Sequence, residues 1–171
     1  NEAPIITSAS SFDAAENQSA VGTVTATDAD GDDLTFAVTG FEIQISSTGV
    51  LTFFNNSRDY ETQSSYPITV SVSDGVNTVT QDVTINITDV NEPPSFVSSA
   101  AFSVAENQTS IGRVIVGDQE GDSLTYTLSG ADANSVSILT SGSDVGTLTF
   151  KEAPDFETKN TYSFTLSVTD G

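Results

Sequence analysis

An internal repeat limits what this chain can fold into more than any other feature of its sequence. Residues 12–40 (FDAAENQSAVGTVTATDADGDDLTFAVTG) align without a gap onto residues 102–130 (FSVAENQTSIGRVIVGDQEGDSLTYTLSG), an offset of 90. A 171-residue chain built this way reads as two copies of one small domain, near the roughly 100-residue size at which single domains are commonest. The same offset carries NEAP at 1–4 onto NEPP at 91–94, so the chain is read as starting inside a linker like its own central one, with another unit upstream. Farther along, RDYET at 58–62 matches PDFET at 154–158, and SVSDG at 71–75 matches SVTDG at 167–171, now offset by 96. The second unit has gained six residues, and the Gly, Ser, Asn and Asp of ADANSVSILTSGSDVG mark the loop expected to hold them. We therefore divide the chain into units 1–91 and 92–171.

Apolar residues alternate with period two at Leu34, Phe36, Val38 and at Leu124, Tyr126, Leu128. They do so again at Tyr66, Ile68, Val70, Val72 and at Tyr162, Phe164, Leu166, Val168, the pattern of half-buried strands. A further strand carries Val79, Val83, Ile85 and Ile87, and no stretch has helical periodicity beyond turns near DYE and DFE. Short strands separated by turn signals predict an all-β chain of two tandem antiparallel Greek-key β-sandwiches. The second unit has no counterpart of NTVTQDVTINI after Gly171, so it is expected to lack its last strand. The resulting open edge implies trimming, a disordered tail or pairing with another chain.

The net charge of −20, from 24 acidic and 4 basic residues, argues against nucleic acid and anionic membranes as partners. No apolar run approaches the roughly 18 residues of a membrane span, so no membrane insertion is expected in this segment. With no Cys and no His, the usual thiol nucleophile and imidazole base are missing. Asp59 and Glu61 have the chemistry of a glycosidase carboxylate pair, but no substrate cleft is indicated, and the chain is not read as an enzyme. Asn17, Asn55, Asn86 and Asn107 open NxS or NxT patterns, a weak signal for glycosylation.

The acids cluster at loops. Calcium takes six to eight oxygen ligands at about 2.3–2.6 Å, so a site needs carboxylates and carbonyls converging from several loops. Unit one offers Glu16 in AEN, Asp59 and Glu61 in DYE, and the linker residues Asp89, Asn91 and Glu92 in DVNEPP. Unit two offers Asp118 and Glu120 in DQEGD and Asp170 in TDG. Spacings of the DxE type place alternate side chains of an extended stretch on one side, as shared coordination requires. DADGD is not an EF-hand loop, because counting from Asp28 the sixth position is Asp33 rather than Gly and the twelfth is Thr39 rather than Glu.

Together AEN, DAD, DYE, SDG and DVNEPP resemble the calcium motifs of tandem cadherin repeats, including the bacterial cadherin-like type, over essentially the whole chain. The resemblance implies two or three Ca2+ ions at the interdomain joint. Glu16, Asp59, Glu61, Asp89, the Val90 carbonyl and Glu92 would stand at first-domain and linker ligand positions. Asn91, Asp118, Glu120 and Asp170 would stand on the second-domain side. Glu92 and Pro93 depart from the usual Asp and Asn of that linker, and Glu120 departs from an Asp. Asn1, Glu2, Asp28, Asp30 and Asp74 would form a half-site facing an upstream repeat, and Glu106, Asp155 and Glu157 the reciprocal one downstream.

These readings predict an extracellular or cell-surface calcium-binding adhesion module whose joint calcium rigidifies, with flanking repeats of the same chain and a homophilic contact as partners. The alternative is a calcium-dependent carbohydrate-binding module with a polysaccharide partner. Tyr60, Phe53 and Phe54 are its candidate stacking residues, although strand alternation reads them as core.

Overall fold

A computed structural model describes residues 1–55 and 58–171; the sequence pattern that opens at Asn55 runs on through residues 56 and 57, outside the described ones. Contacts divide the chain into Asn1–Val90 and Asn91–Gly171.

Unit one contains β1 (Ile5–Ile6), β2 (Ser11–Ala15), β3 (Ala20–Thr23), β4 (Ala26–Thr27), β5 (Thr35–Val38), β6 (Ile43–Ile45), β7 (Val50–Phe53), β8 (Ser65–Ser73) and β9 (Thr78–Thr88). One sheet runs β2-β9-β8-β5, a second β3-β7-β6, and β1 pairs with β4. All pairings are antiparallel except β2 with β9, which is parallel and joins Phe12 to Ile85 and Ala14 to Ile87. The inward residues of β8 and β9 are those the alternation marks: Ile68, Val70, Val72, Val83, Ile85 and Ile87 are buried, with Val24, Ile43, Leu51 and Phe53 opposite them. Burying a side chain of this size contributes about 1.5–3 kcal/mol, so this core dominates the stability of the unit.

Unit two contains β10 (Ser95–Phe96), β11 (Ser110–Arg113), β12 (Val116–Gly117), β13 (Thr125–Ser129), β14 (Val136–Ile138), β15 (Thr147–Phe150) and β16 (Thr165–Thr169), with a 3-10 turn at Ala133–Ser135. Its sheets are β11-β15-β14, β13-β16 and β10-β12. Where unit one has four strands in its larger sheet, unit two has the pair β13-β16.

Two expectations need correction. The segment assigned to an insertion loop holds a strand, β14, which pairs with β15 as β6 pairs with β7. The extra residues are therefore divided between the 3-10 turn before β14 and the loop after it. The alternation over Tyr162–Val168 also yields a shorter strand than predicted, beginning at Thr165. In unit one β5 covers only Val70–Ser73 of β8, and the earlier half, from Ser65, is paired by β9 alone. Among the described residues no strand pairs with residues 161–164, the counterparts of Ser65–Ile68 that β9 pairs in unit one, and β16 begins where its pairing with β13 begins. Residues 101–105 likewise have no pairing strand among the described residues and are coil where unit one has β2.

Gly49 and Gly146 directly precede the equivalent strands β7 and β15 with φ +83° and +87°, and a Cβ on either would lie 2.1 Å from the carbonyl oxygen of Val24 or Val114. Gly31 has a similar φ of +79° but open space around it. Gly31→Ala is expected to cost about 1–2 kcal/mol for the left-handed conformation alone. Gly49→Ala adds an overlap with backbone worth about 1–3 kcal/mol more. Equal losses for the two variants in urea denaturation would contradict this placement.

Candidate metal centre

In unit one the loop carboxylates are gathered around Glu16. After β2 the chain turns at Asn17, whose φ is +59°, and the backbone N–H groups of Glu16 and Asn17 donate to the carbonyls of Thr88 and Arg58. Glu16 is only 3% exposed. A buried carboxylate is strongly unfavourable unless it is hydrogen-bonded; here Oε2 accepts from the Tyr60 N–H at 2.9 Å and Oε1 from the Val90 N–H at 2.8 Å. One side chain thus ties the DYE turn to the linker. Asp59 accepts from the N–H and hydroxyl of Thr62.

Glu61 stands beside them with its pKa raised: its own backbone N–H favours the charged form, but desolvation, the charge of Glu16, a hydrogen bond with Asp59 and the charge of Asp89 outweigh it. Arg58 holds the turn from beneath. Its guanidinium is buried, lies 4.8 Å from the Phe53 ring centroid and 5.2 Å from that of Tyr66, and pairs with Glu42 at 2.9 Å. Burial alone would lower its pKa, but Tyr66 and Glu42 raise it.

At a second group in unit one, carboxylate oxygens of Asp28, Asp30 and Asp32 lie within 4.8 Å of one another. Asp28 accepts from the backbone N–H groups of Asp30 and Asp32. Asn1 donates its amide to Asp32 at 2.6 Å, and Glu2 reaches Asp30 through its backbone N–H at 2.6 Å. Asp74 is engaged by its own turn: the Asn77 and Val76 N–H groups donate to it, and the resulting stabilisation of the carboxylate, led by Asn77, lowers its pKa. Asn77 in turn donates to the Asn1 side chain.

Unit two repeats both arrangements. Asp118 accepts from the Asp122 N–H at 2.7 Å as Asp28 does from Asp32, and the Asn91 amide donates to Asp170 at 2.8 Å, lowering the pKa of that carboxyl. Glu92, Pro93 and Asp118 line a shallow recess of ≈ 260 Å³. Elsewhere in the unit Glu106, Asp155 and Glu157 bring carboxylate oxygens within 4.8 Å. Glu106 accepts from the Phe156 N–H at 3.1 Å, the counterpart of Glu16 with Tyr60. The hydroxyl of Thr158, ahead of the Glu157 contacts, lowers the pKa of Asp155.

These donors fit calcium. They are carboxylate, amide and carbonyl oxygens, the hard ligands calcium prefers, and no softer nitrogen or sulfur ligand exists in a chain without His or Cys. Buried oxygens at Asp28 Oδ2, Asp118 Oδ2 and both Oε atoms of Glu120 have no hydrogen-bond partner among the described residues. Such atoms carry a desolvation cost that a bound cation would remove.

Within unit one, then, Glu16, Asp59, Glu61, Asp89 and the Val90 backbone come together, as do Asp28, Asp30, Asp74 and Asn1. Within unit two, Asn91 meets Asp170, and Glu106, Asp155 and Glu157 converge. Sequence reasoning missed Asp32 and Asn77. The DxDxD spacing from Asp28 carries a signal for the first; Asn77 enters only through the turn after Asp74. Of the aromatic candidates Phe53 is core, 2% exposed, whereas Phe54 and Tyr60 lie 60% and 39% exposed, contrary to their reading as core.

The sequence profile described as "Bacterial Ig domain" matches residues 1–86 and 91–171. Mouse Cadherin-24 is 32% identical over 139 residues, covering 72% of this chain and 18% of that protein. Human Protocadherin Fat 4 is 33% identical over 132 residues, covering 71% of this chain and 3% of that one. The chain thus spans less than a fifth of the first of these relatives. Among solved structures, human Protocadherin-24 EC1-2 (form II) superposes with TM-score 0.68 at 19% identity, covering 99% of this chain and 94% of that one. Protocadherin Gamma B2 extracellular cadherin domains 3–6 give 0.66 at 20%, covering 98% and 43%. These two establish the fold. With both units matched by one profile and the pair superposed on cadherin domains, the chain belongs to the bacterial Ig-domain family and consists of two tandem cadherin-like repeats.

Proposed function

We propose that this pair of repeats is a calcium-binding extracellular module of a cell-surface adhesion protein, and that calcium fixes the joint between its units. The observation that carries the proposal lies in the linker. The Val90 N–H is held by Glu16 and the Asn91 amide by Asp170, so two adjacent residues, whose Cα atoms are about 3.8 Å apart, belong to two different carboxylate groups. Two or three ions would draw on Glu16, Asp59, Glu61, Asp89 and the Val90 carbonyl from one unit. From the other they would draw on Asn91, Glu92, Asp118, Glu120 and Asp170.

Without a cation, like charges oppose close approach of the two groups and the units swing about the linker. Shared coordination replaces that repulsion with attraction. Millimolar calcium outside cells suits even modest affinity. A run of such joints makes a rod that projects an adhesive end, with flanking repeats and a homophilic contact as its partners. The outer acidic groups, Asp28 with Asp30 and Asp74, and Glu106 with Asp155 and Glu157, would complete their coordination with neighbouring repeats. No catalytic role is proposed. A polysaccharide-binding role retains the exposed Phe54 and Tyr60 but loses Phe53 to the core.

Small-angle scattering in calcium and in chelator tests the joint. The maximum dimension is expected to be larger and better defined in calcium, and an unchanged distance distribution would contradict a calcium-fixed joint.

Glu61 gives a second test through opposite signs. Its raised pKa means that the folded state favours the protonated form. Its contribution is therefore favourable below the ordinary carboxylate pKa and is lost as pH rises through the raised one. At neutral pH Glu61→Gln is expected to raise the melting temperature in chelator and to shrink the gain produced by calcium. Asp89→Ala shrinks that gain too, whereas Asp13→Ala, in β2 and bonded to Asn86, leaves it intact. A full calcium gain in Glu61→Gln and Asp89→Ala would remove both residues from the site.

A further inference from the structure

We infer that Arg58 is a positioning residue for calcium: its side chain clamps the Asp59–Glu61 turn to both sheets of unit one and so sets how tightly that turn binds the ion. This rests on the calcium reading proposed above and adds to it a residue that is not itself a ligand.

Arg58 directly precedes the turn and is held at both ends. Its carbonyl accepts from the Asn17 N–H at 3.1 Å, fastening the turn to the loop that carries Glu16. Its guanidinium reaches one ring from each sheet, Phe53 of β7 and Tyr66 of β8, which meet each other edge to face at 5.3 Å. Pairing with Glu42, the residue before β6, and a 3.0 Å hydrogen bond to the side-chain oxygen of Asn55 complete the setting. Arg58 is 6% exposed, and a cation buried to that degree is strongly unfavourable away from such partners. The side chain is therefore fixed, and with it the backbone entering Asp59, before any ion arrives.

Unit two builds the same clamp from a different position. Pro154 stands where unit one has Arg58, yet Lys159, on the far side of the Asp155–Glu157 turn and the counterpart of Gln63, lies 4.7 Å from the ring centroid of Tyr162, the counterpart of Tyr66. Lys159 pairs with Asp132, which comes from the connection between β13 and β14 as Glu42 comes from that between β5 and β6. Tyr162 in turn meets Phe150 at 4.8 Å, as Tyr66 meets Phe53. The chain has only 4 basic residues against 24 acidic ones, so spending a cation beside each carboxylate-bearing turn, from opposite flanks, points to a need of the turn itself.

Charge alone would give Arg58 the opposite effect. A positive charge near a cation site opposes binding, so its loss should tighten calcium. Loss of a clamp does the reverse, because part of the binding free energy then goes into ordering Asp59 and Glu61. The sign of the change separates the two.

Calcium titrations of the 171-residue protein, followed by the amide NMR shifts of Tyr60 and Glu61, read that sign, with the shifts of Asp30 and Asp32 as an internal control. Arg58→Met is expected to weaken binding at Tyr60 and Glu61 by about tenfold, the scale of ordering one or two side chains, and to leave the midpoint at Asp30 and Asp32 unchanged. Should that variant not fold, Arg58→Met combined with Glu42→Ala removes the pair together, leaving no lone buried charge and the net charge unaltered; the same loss is expected in it. Arg58→Lys, which keeps the pair and the ring contact as Lys159 does, is expected to recover most of the affinity. Equal or tighter binding in the Met variants, or a Lys variant as weak as they are, would overturn the positioning role. Wild-type protein whose Tyr60 and Glu61 shifts do not respond to calcium would overturn the calcium reading itself.

Discussion

The fold holds carboxylates closer together than their own charges favour. In each unit this is done with backbone N–H groups aimed at acidic side chains: Tyr60 and Val90 at Glu16, Asp30 and Asp32 at Asp28, Phe156 at Glu106. Charge-assisted bonds of this kind stabilise the carboxylates that accept them but do nothing for the repulsion between neighbours, which adds to desolvation in raising the pKa of Glu61. A cation is the natural complement. The fold fixes these side chains through one set of oxygens and leaves others, such as those of Glu120 and one of Asp118, without a hydrogen-bond partner among the described residues.

A second dependence runs through β9. The sequences that flank it in unit one recur in unit two with their alternation intact, yet one of them is strand in the first unit and coil in the second. A strand exists through its ladder, and the local pattern supplies only the side chains that would fill it. The buried core follows the same rule. Unit one closes around Leu51, Val70, Val72 and Ile85, while the buried cluster of unit two, among the described residues, is Val114, Val136 and Leu148.

Much of this was legible in the residues. The repeat offset divides the chain, alternation identifies the buried faces of β8 and β9, and the acidic motifs mark residues that the fold does bring together within each unit. The rest depended on tertiary partners. Parallel pairing of β2 with β9 leaves no trace in a period-two pattern, and β16 begins only at Thr165, where its pairing with β13 begins. Asn77 joins the acidic group through a turn, whereas the DxDxD spacing from Asp28 already marks Asp32. Exposure of Phe54 and Tyr60 likewise turns on where β7 ends and the DYE turn begins, which alternation alone does not fix.

If these oxygens bind calcium, the bound ions can be counted. Equilibrium dialysis of the metal-free 171-residue protein against millimolar calcium is predicted to give two or three ions per chain held more tightly than any others. A chain that retains no calcium above a chelator-treated control would contradict the account.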